Sequence, residues 1–246
     1  MALDTTHLIL LIAGITIVAF IYSSVGHAGA SGYIAVMTLC GLSATFIRPT
    51  ALVLNILVAA IGSFQFWRAG YFSWRLFWPF ALLAVPAAYL GGYLPLPPHI
   101  LKILIGAVLL FSAARLFFRQ GDPADTAPPP APVAIGTGAA LGFLSGLTGT
   151  GGGIFLTPLL LFCGWASIRG AAAVSALFIL VNSIAGLAGY ISSGQPVPSF
   201  AWILAVAAVS AGTLGSFLGS RRFPVRTISL ILATVLVLAG CKLIFW

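Results

Sequence analysis

Residues 149–161 read Gly149-Thr150-Gly151-Gly152-Gly153-Ile154-Phe155-Leu156-Thr157-Pro158-Leu159-Leu160-Leu161. Glycine at four of the first five positions works against a regular helix, because each lacks the Cβ that restricts the backbone. An apolar run leads into this cluster, and a second, shorter one leaves it and ends at Ala166. Broken backbone between apolar runs survives at membrane depth only where it lines a cavity or is buried in protein. The stretch therefore predicts an interrupted helix inside an all-α polytopic membrane protein.

The rest of the chain agrees with that solvent. Of its 246 residues 61% are hydrophobic and only 6% are charged, with a mean hydropathy of +1.15. A soluble domain carries about 25% charged residues. The chain is also too short for a membrane bundle plus a catalytic domain of about 100–150 residues. Eleven Lys and Arg face three Asp and no Glu. The basic residues are scattered singly between apolar runs, which encodes membrane orientation rather than nucleic-acid binding. Asp4, Asp122 and Asp125 all fall outside the apolar runs. Cation sites and carboxylate proton relays need such groups within the membrane. Cys40, Cys163 and Cys241 form neither a CxxC nor an even set, so they read as small hydrophobes. No cofactor or metal motif is present, and the glycine cluster lacks the Lys and Ser/Thr of a phosphate loop.

Stretches of about 20 apolar residues are expected to cross the bilayer. Eight are expected: Leu8–Val25, Thr50–Trp67, Leu76–Leu96, Ile100–Phe118, Val133–Leu147, Gly170–Ile191, Phe200–Leu218 and Thr227–Phe245. Two shorter pieces, Tyr33–Phe46 and Ile154–Ala166, each follow a glycine cluster and read as broken or re-entrant helices. Residues 119–132, RQGDPADTAPPPAP, form an extended Pro-rich linker. It divides a first repeat, 1–118, from a second, 133–246.

The repeats align in order. Gly26-His27-Ala28-Gly29 matches Gly149-Thr150-Gly151-Gly152, and Cys40-Gly41 matches Cys163-Gly164. Arg48 faces Arg169, and Ala69-Gly70-Tyr71 faces Ala188-Gly189-Tyr190. Internal duplication of this kind is a transporter signature. If the short pieces cross, each half has an odd number of segments and the halves are inverted. Eight basic residues then share one side with three on the other. The positive-inside rule favours that arrangement, with both termini outside. If the short pieces dip and return, eight spans remain and the charges orient nothing.

Helix N-termini at the glycine breaks present open N–H donors and positive dipole, which suits an anion. The candidate substrate-binding residues are Gly26, His27, Gly29, Asn55, Gly151, Gly152, Gly153, Ser175 and Asn182. Neutral amides and hydroxyls can donate to a dehydrated anion, though isolated ones in spans more often join helices. Arg48, Arg169 and Gln65 are candidates for an anion path. His27 is the side chain here that could change charge near neutral pH. The Gly138-Gly142-Gly146 and Ala211-Gly215-Gly219 rows read as tight helix packing.

On the Gly149–Leu161 motif, Ala172-Ala173-Val174-Ser175, Asn182-Ser183 and the glycine-aromatic ending at Tyr190, the chain resembles the sulfite exporter TauE/SafE family, also called the 4-toluenesulfonate uptake permease family. The first-half copy departs from the motif, with Ala30 for Gly153 and Ala35 for Pro158. The resemblance implies secondary transport of a small sulfur oxyanion or organosulfonate, sulfite- or sulfoacetate-like, across a bacterial cytoplasmic (inner) membrane. Export by alternating access is expected, with periplasmic termini. The partners are then a small anion and membrane lipid, and a homodimer is one assembly the sequence allows. The competing class is a non-transporting scaffold or assembly factor. A serine intramembrane protease is disfavoured: Gly29-Ala30-Ser31-Gly32 has the GxSG form, but no His follows His99 to serve as base.

Overall fold

The computed structural model describes residues 5–24, 27–95, 97–117 and 126–222, plus the isolated positions 237, 241 and 244. Gly26, most of the linker up to residue 125, and most of the expected span Thr227–Phe245 lie outside the described residues. Among the described residues every regular element is helical. The helices are α1 (Thr5–Ser24), α2 (Ala30–Leu39), α3 (Ala44–Arg68), α4 (Trp74–Tyr93), α5 (Pro98–Phe117), α6 (Ala131–Thr148), α7 (Gly153–Phe162), α8 (Ile168–Ser192) and α9 (Phe200–Arg222). Five of them, α3, α4, α6, α8 and α9, are long and apolar enough to cross a membrane. Bulky side chains such as Trp202, Val206, Leu214 and Phe217 point outward and are exposed, as a lipid-facing surface requires.

The short helices have ten residues each. At about 1.5 Å per residue that is about 15 Å, half the hydrocarbon thickness. Both begin at a left-handed glycine, Gly29 (φ 98°) and Gly152 (φ 78°), a conformation that costs an L-residue about 1–2 kcal/mol. Both stop in the same way. Leu42 N–H reaches back to the Met37 carbonyl over left-handed Gly41, and Trp165 N–H to Leu160 over left-handed Gly164. The Cys-Gly pair shared by the two halves is thus a helix stop of the Schellman type. It ends α2 at Leu39, so the expected short piece Tyr33–Phe46 is divided, and Ala44–Phe46 belong to the next helix.

That next helix, α3, starts earlier than the apolar run suggests and contains Pro49 in its second turn. Proline has no N–H to give the carbonyl four residues back. Here that carbonyl, Thr45 O, accepts the Tyr190 hydroxyl at 3.2 Å instead. The helix survives because a side chain from α8 takes the place of the missing donor.

The first short helix folds back along the helix before it. A Cβ on Gly32 would strike Val18 and Tyr22, and one on Gly14 would strike Val36, so α2 runs antiparallel to α1. In the second half only the N-cap Gly152 lies against α6, at Ser145 and Leu141, and α7 packs mainly on α8. The most extensive helix pairs join the halves: α4 with α6 and α1 with α9, then α4 with α8 and α3 with α8. In the first pair, Gly138, Gly142 and Gly146 abut the Phe80, Ala84 and Ala88 carbonyls, with no room for a Cβ. Gly215 abuts the Phe20 carbonyl in the second. The small-residue rows therefore pack backbone on backbone.

Candidate functional site

The second glycine break is enclosed by α3, α6 and α8. α6 ends at left-handed Gly149 (φ 80°), and Gly151 (φ 74°) and Gly152 follow in the same conformation. A Cβ on Gly151 would meet Ile179 at 2.7 Å, the Ser183 Oγ at 3.0 Å and the Asn55 Nδ2 at 3.2 Å. A Cβ on Gly153 would meet Ile179 at 2.5 Å and the Ser175 carbonyl at 3.2 Å. Asn55 donates to the Gly149 carbonyl at 3.3 Å. Ser175 accepts from Thr157, which lies one turn into α7. The structure thus brings together Asn55, Gly151, Gly152, Gly153 and Ser175.

This enclosure is polar but underbonded. Asn55, Ser145, Asn182 and Ser183 are each 0% exposed. The Asn55 Oδ1, both Asn182 amide atoms, and the Ser145 and Ser183 hydroxyls have no protein hydrogen-bond partner. A buried polar group left unpaired costs about 1–3 kcal/mol. The first turn of α7, where the Phe155 and Leu156 N–H groups both bond the Gly152 carbonyl, points the positive end of the helix dipole at the break. Asn182 lies seven residues from Ser175, on the same face of α8. Ser145 was not among the residues singled out from sequence. It directly precedes Gly146, and it faces the break rather than the α4 contact.

The first break is less polar. His27, half-buried, lines a cleft with Ser23, Val58, Ala59, Phe66, Ala176 and Ser216. The cleft has space for about one water molecule. Gly29 lies against Tyr33 and Tyr22, and Tyr22 and Ser31 share a 2.8 Å hydrogen bond. The two breaks face different parts of α3. The second lies by Arg48 and Asn55, the first by residues 58–66. Gln65, half-buried, belongs to the latter part, ten residues beyond Asn55. Cys163 is exposed and Cys40 half-buried. Among the described residues no three His, Cys, Asp or Glu side chains gather as a metal site would require.

The two arginines differ sharply. Arg48 is 3% exposed. It donates to the carbonyls of Gly146 (3.0 Å), Gly91 (2.5 Å), Gly92 (2.6 Å) and Leu94 (3.4 Å). Three of these belong to the C-terminal end of α4, where the helix dipole is negative. Its guanidinium also lies 5.3 Å from the Tyr190 ring centroid. Arg169 is exposed; it donates to the Tyr71 hydroxyl at 2.6 Å and lies 5.2 Å from that ring. Arg48 and Arg169 are repeat partners, as are Tyr71 and Tyr190, and each arginine pairs with the tyrosine of the other half.

A family model described as sulfite exporter TauE/SafE matches residues 10–243. Among curated proteins, the chain is similar to a probable membrane transporter protein, y4hK, of Sinorhizobium fredii. The two are 43% identical over 236 residues, covering 93% of this chain and 95% of the relative. It is also similar to the probable membrane transporter protein YunE of Bacillus subtilis, at 33% identity over 47% of this chain and 42% of that one. A third relative, the probable membrane transporter protein MJ0441 of Methanocaldococcus jannaschii, is 25% identical over 79% of this chain and 77% of its own length. No solved structure shows significant similarity to the chain.

Proposed function

The chain belongs to the sulfite exporter TauE/SafE family of membrane transporters, and from that premise we propose that it exports a small sulfur oxyanion or organosulfonate across the bacterial inner membrane by alternating access. The observation that carries the substrate class is the set of buried donors at and near Gly151–Gly153: the unpartnered Ser145 and Ser183 hydroxyls, the Asn55 Nδ2, which spends one proton on Gly149, and, further along α8, the unpartnered Asn182 amide. These groups, with the positive dipole end of α7, can replace the hydration of a small oxyanion without a metal or a carboxylate. The anion then sits at the second break. His27 and Gly29 line the other end of its path, beside residues 58–66 of α3.

We further propose that the two halves are inverted and that both termini are periplasmic. Support comes from the matched ten-residue helices, each begun at a left-handed glycine, and the cross-half exchange of helix partners. The basic residues on the proposed cytoplasmic side outnumber those on the other by eight to three. Inverted repeats around a mid-membrane site with half-helix N-termini pointing at an anion are a recurring transporter plan.

The test is counterflow in proteoliposomes against sulfite, sulfate, thiosulfate, sulfoacetate and toluenesulfonate, with chloride and phosphate as controls. Saturable exchange of one or more sulfur anions is expected. Exchange of none of them, by protein that is folded and monodisperse, overturns the substrate class.

A further inference from the structure

We propose that Arg48 and Arg169 are alternating latches: each closes one end of the anion path in one state and releases it in the other. The inference rests on the transport reading above and adds the device that switches it. Related residues occupy related places. Each arginine lies near the start of the long helix after a short one, 25 residues long in both halves. Each stacks on the repeat-related tyrosine of the opposite half at nearly the same distance, 5.3 and 5.2 Å.

Their surroundings differ. Arg48 is buried and ties α3 to the end of α4 and to the last turn of α6, a few residues before the second break. Arg169 is exposed and, among the described residues, bonds and stacks on the Tyr71 side chain. In the sequence repeat Pro86-Ala87-Ala88-Tyr89-Leu90-Gly91 also matches Ser210-Ala211-Gly212-Thr213-Leu214-Gly215, so the C-terminal part of α9 is where Arg169 would dock in the other state.

A structural role for Arg48 alone would not require a matching pair at the other end. A mere topology charge on Arg169 would not require the Tyr71 stack. A latch requires both, and it requires that only one be closed at a time. Four charge-assisted hydrogen bonds at Arg48 also form a contact that breaks as a unit, as a two-position switch needs.

The experiment reads accessibility without any substrate, so it is independent of the flux assay. In a background with Cys40, Cys163 and Cys241 changed to Ser, one reporter is Leu52→Cys, buried one turn beyond Arg48. The other is Ala59→Cys, in the His27 cleft. The modification rate of each by a membrane-impermeant maleimide is measured in liposomes with reagent outside or enclosed. Arg48→Gln is expected to raise the Leu52→Cys rate about tenfold and to lower the Ala59→Cys rate. Arg169→Gln, at an exposed residue that leaves folding intact, is expected to do the reverse. The double variant should return both rates towards their starting values, and Arg48→Lys, which keeps the charge but loses the fork, should fall between. If Arg169→Gln moves neither reporter, or both single variants move them the same way, the latch is refuted. Opposite shifts without sulfur-anion flux would keep the latch and remove the substrate class; normal flux with unmoved reporters would do the opposite.

Discussion

Three glycine-to-alanine changes separate backbone strain from crowding at the second break. Gly136 lies exposed in α6, and an added Cβ there meets nothing within 4 Å. Gly136→Ala should stabilise the protein by about 0.5–1 kcal/mol through lower chain entropy. Gly41 is left-handed (φ 81°) with equally open surroundings, so Gly41→Ala should cost about 1–2 kcal/mol of strain alone. Gly151 combines a φ of 74° with a Cβ position 2.7 Å from Ile179, 3.0 Å from Ser183 and 3.2 Å from Asn55. Gly151→Ala should therefore cost about 2–5 kcal/mol. For a chain of this size each kcal/mol moves the midpoint by about 2–4 °C. Thermal unfolding in detergent should rank Gly136→Ala above the parent, Gly41→Ala below it, and Gly151→Ala lowest. The new methyl also displaces the Asn55 and Ser183 donors from the seat. Losing two hydrogen bonds of about 1 kcal/mol each weakens anion binding about thirtyfold. Liposome flux at subsaturating anion should fall by that factor in Gly151→Ala and stay at the parental level in Gly41→Ala. If Gly151→Ala is no less stable than Gly41→Ala and transports normally, the second break is not the crowded polar seat described here.

Asn182→Leu removes a buried amide with no protein partner; stability should hold or rise by about 1–3 kcal/mol while flux collapses, and retained flux would remove Asn182 from the seat. Inverted halves place Cys40 and Cys163, the matching helix stops, on opposite faces of the membrane, so an impermeant thiol reagent applied to oriented vesicles should label only Cys163 from the cytoplasmic face; labelling of both from one face contradicts inversion. With no carboxylate in the spans, membrane potential on the anion itself suffices to drive export, about 2.3 kcal/mol per charge at 100 mV, or roughly a fortyfold gradient for a monoanion. An imposed potential without a pH gradient should drive flux in the parent and in His27→Gln alike, and a parent that follows only the pH gradient would move the coupling to His27.

What could be read from the sequence was local or periodic. The scarcity of charge set the solvent, because a chain with 6% charged residues cannot cover a water-facing surface. Glycine clusters marked where α2 and α7 begin, since a helix start depends on the φ angles of a few neighbouring residues, whereas the Cys-Gly pairs, read only as a repeat match, were shown by the structure to be the helix stops. The repeat order and the tight-packing role of Gly138, Gly142 and Gly146 were legible for the same reason. From sequence, Asn55 and Ser175 were candidate binding residues in separate halves. Only the tertiary structure decided that Asn55 leaves its own half to bind Gly149, 94 residues away. It alone decided that Arg48, read as part of an anion path, spends its donors on carbonyls 43, 44, 46 and 98 residues distant. Such pairings depend on the register between helices. That register is set by backbone contact along glycine-lined seams, and no short-range pattern in the chain encodes which carbonyl ends up beside which guanidinium.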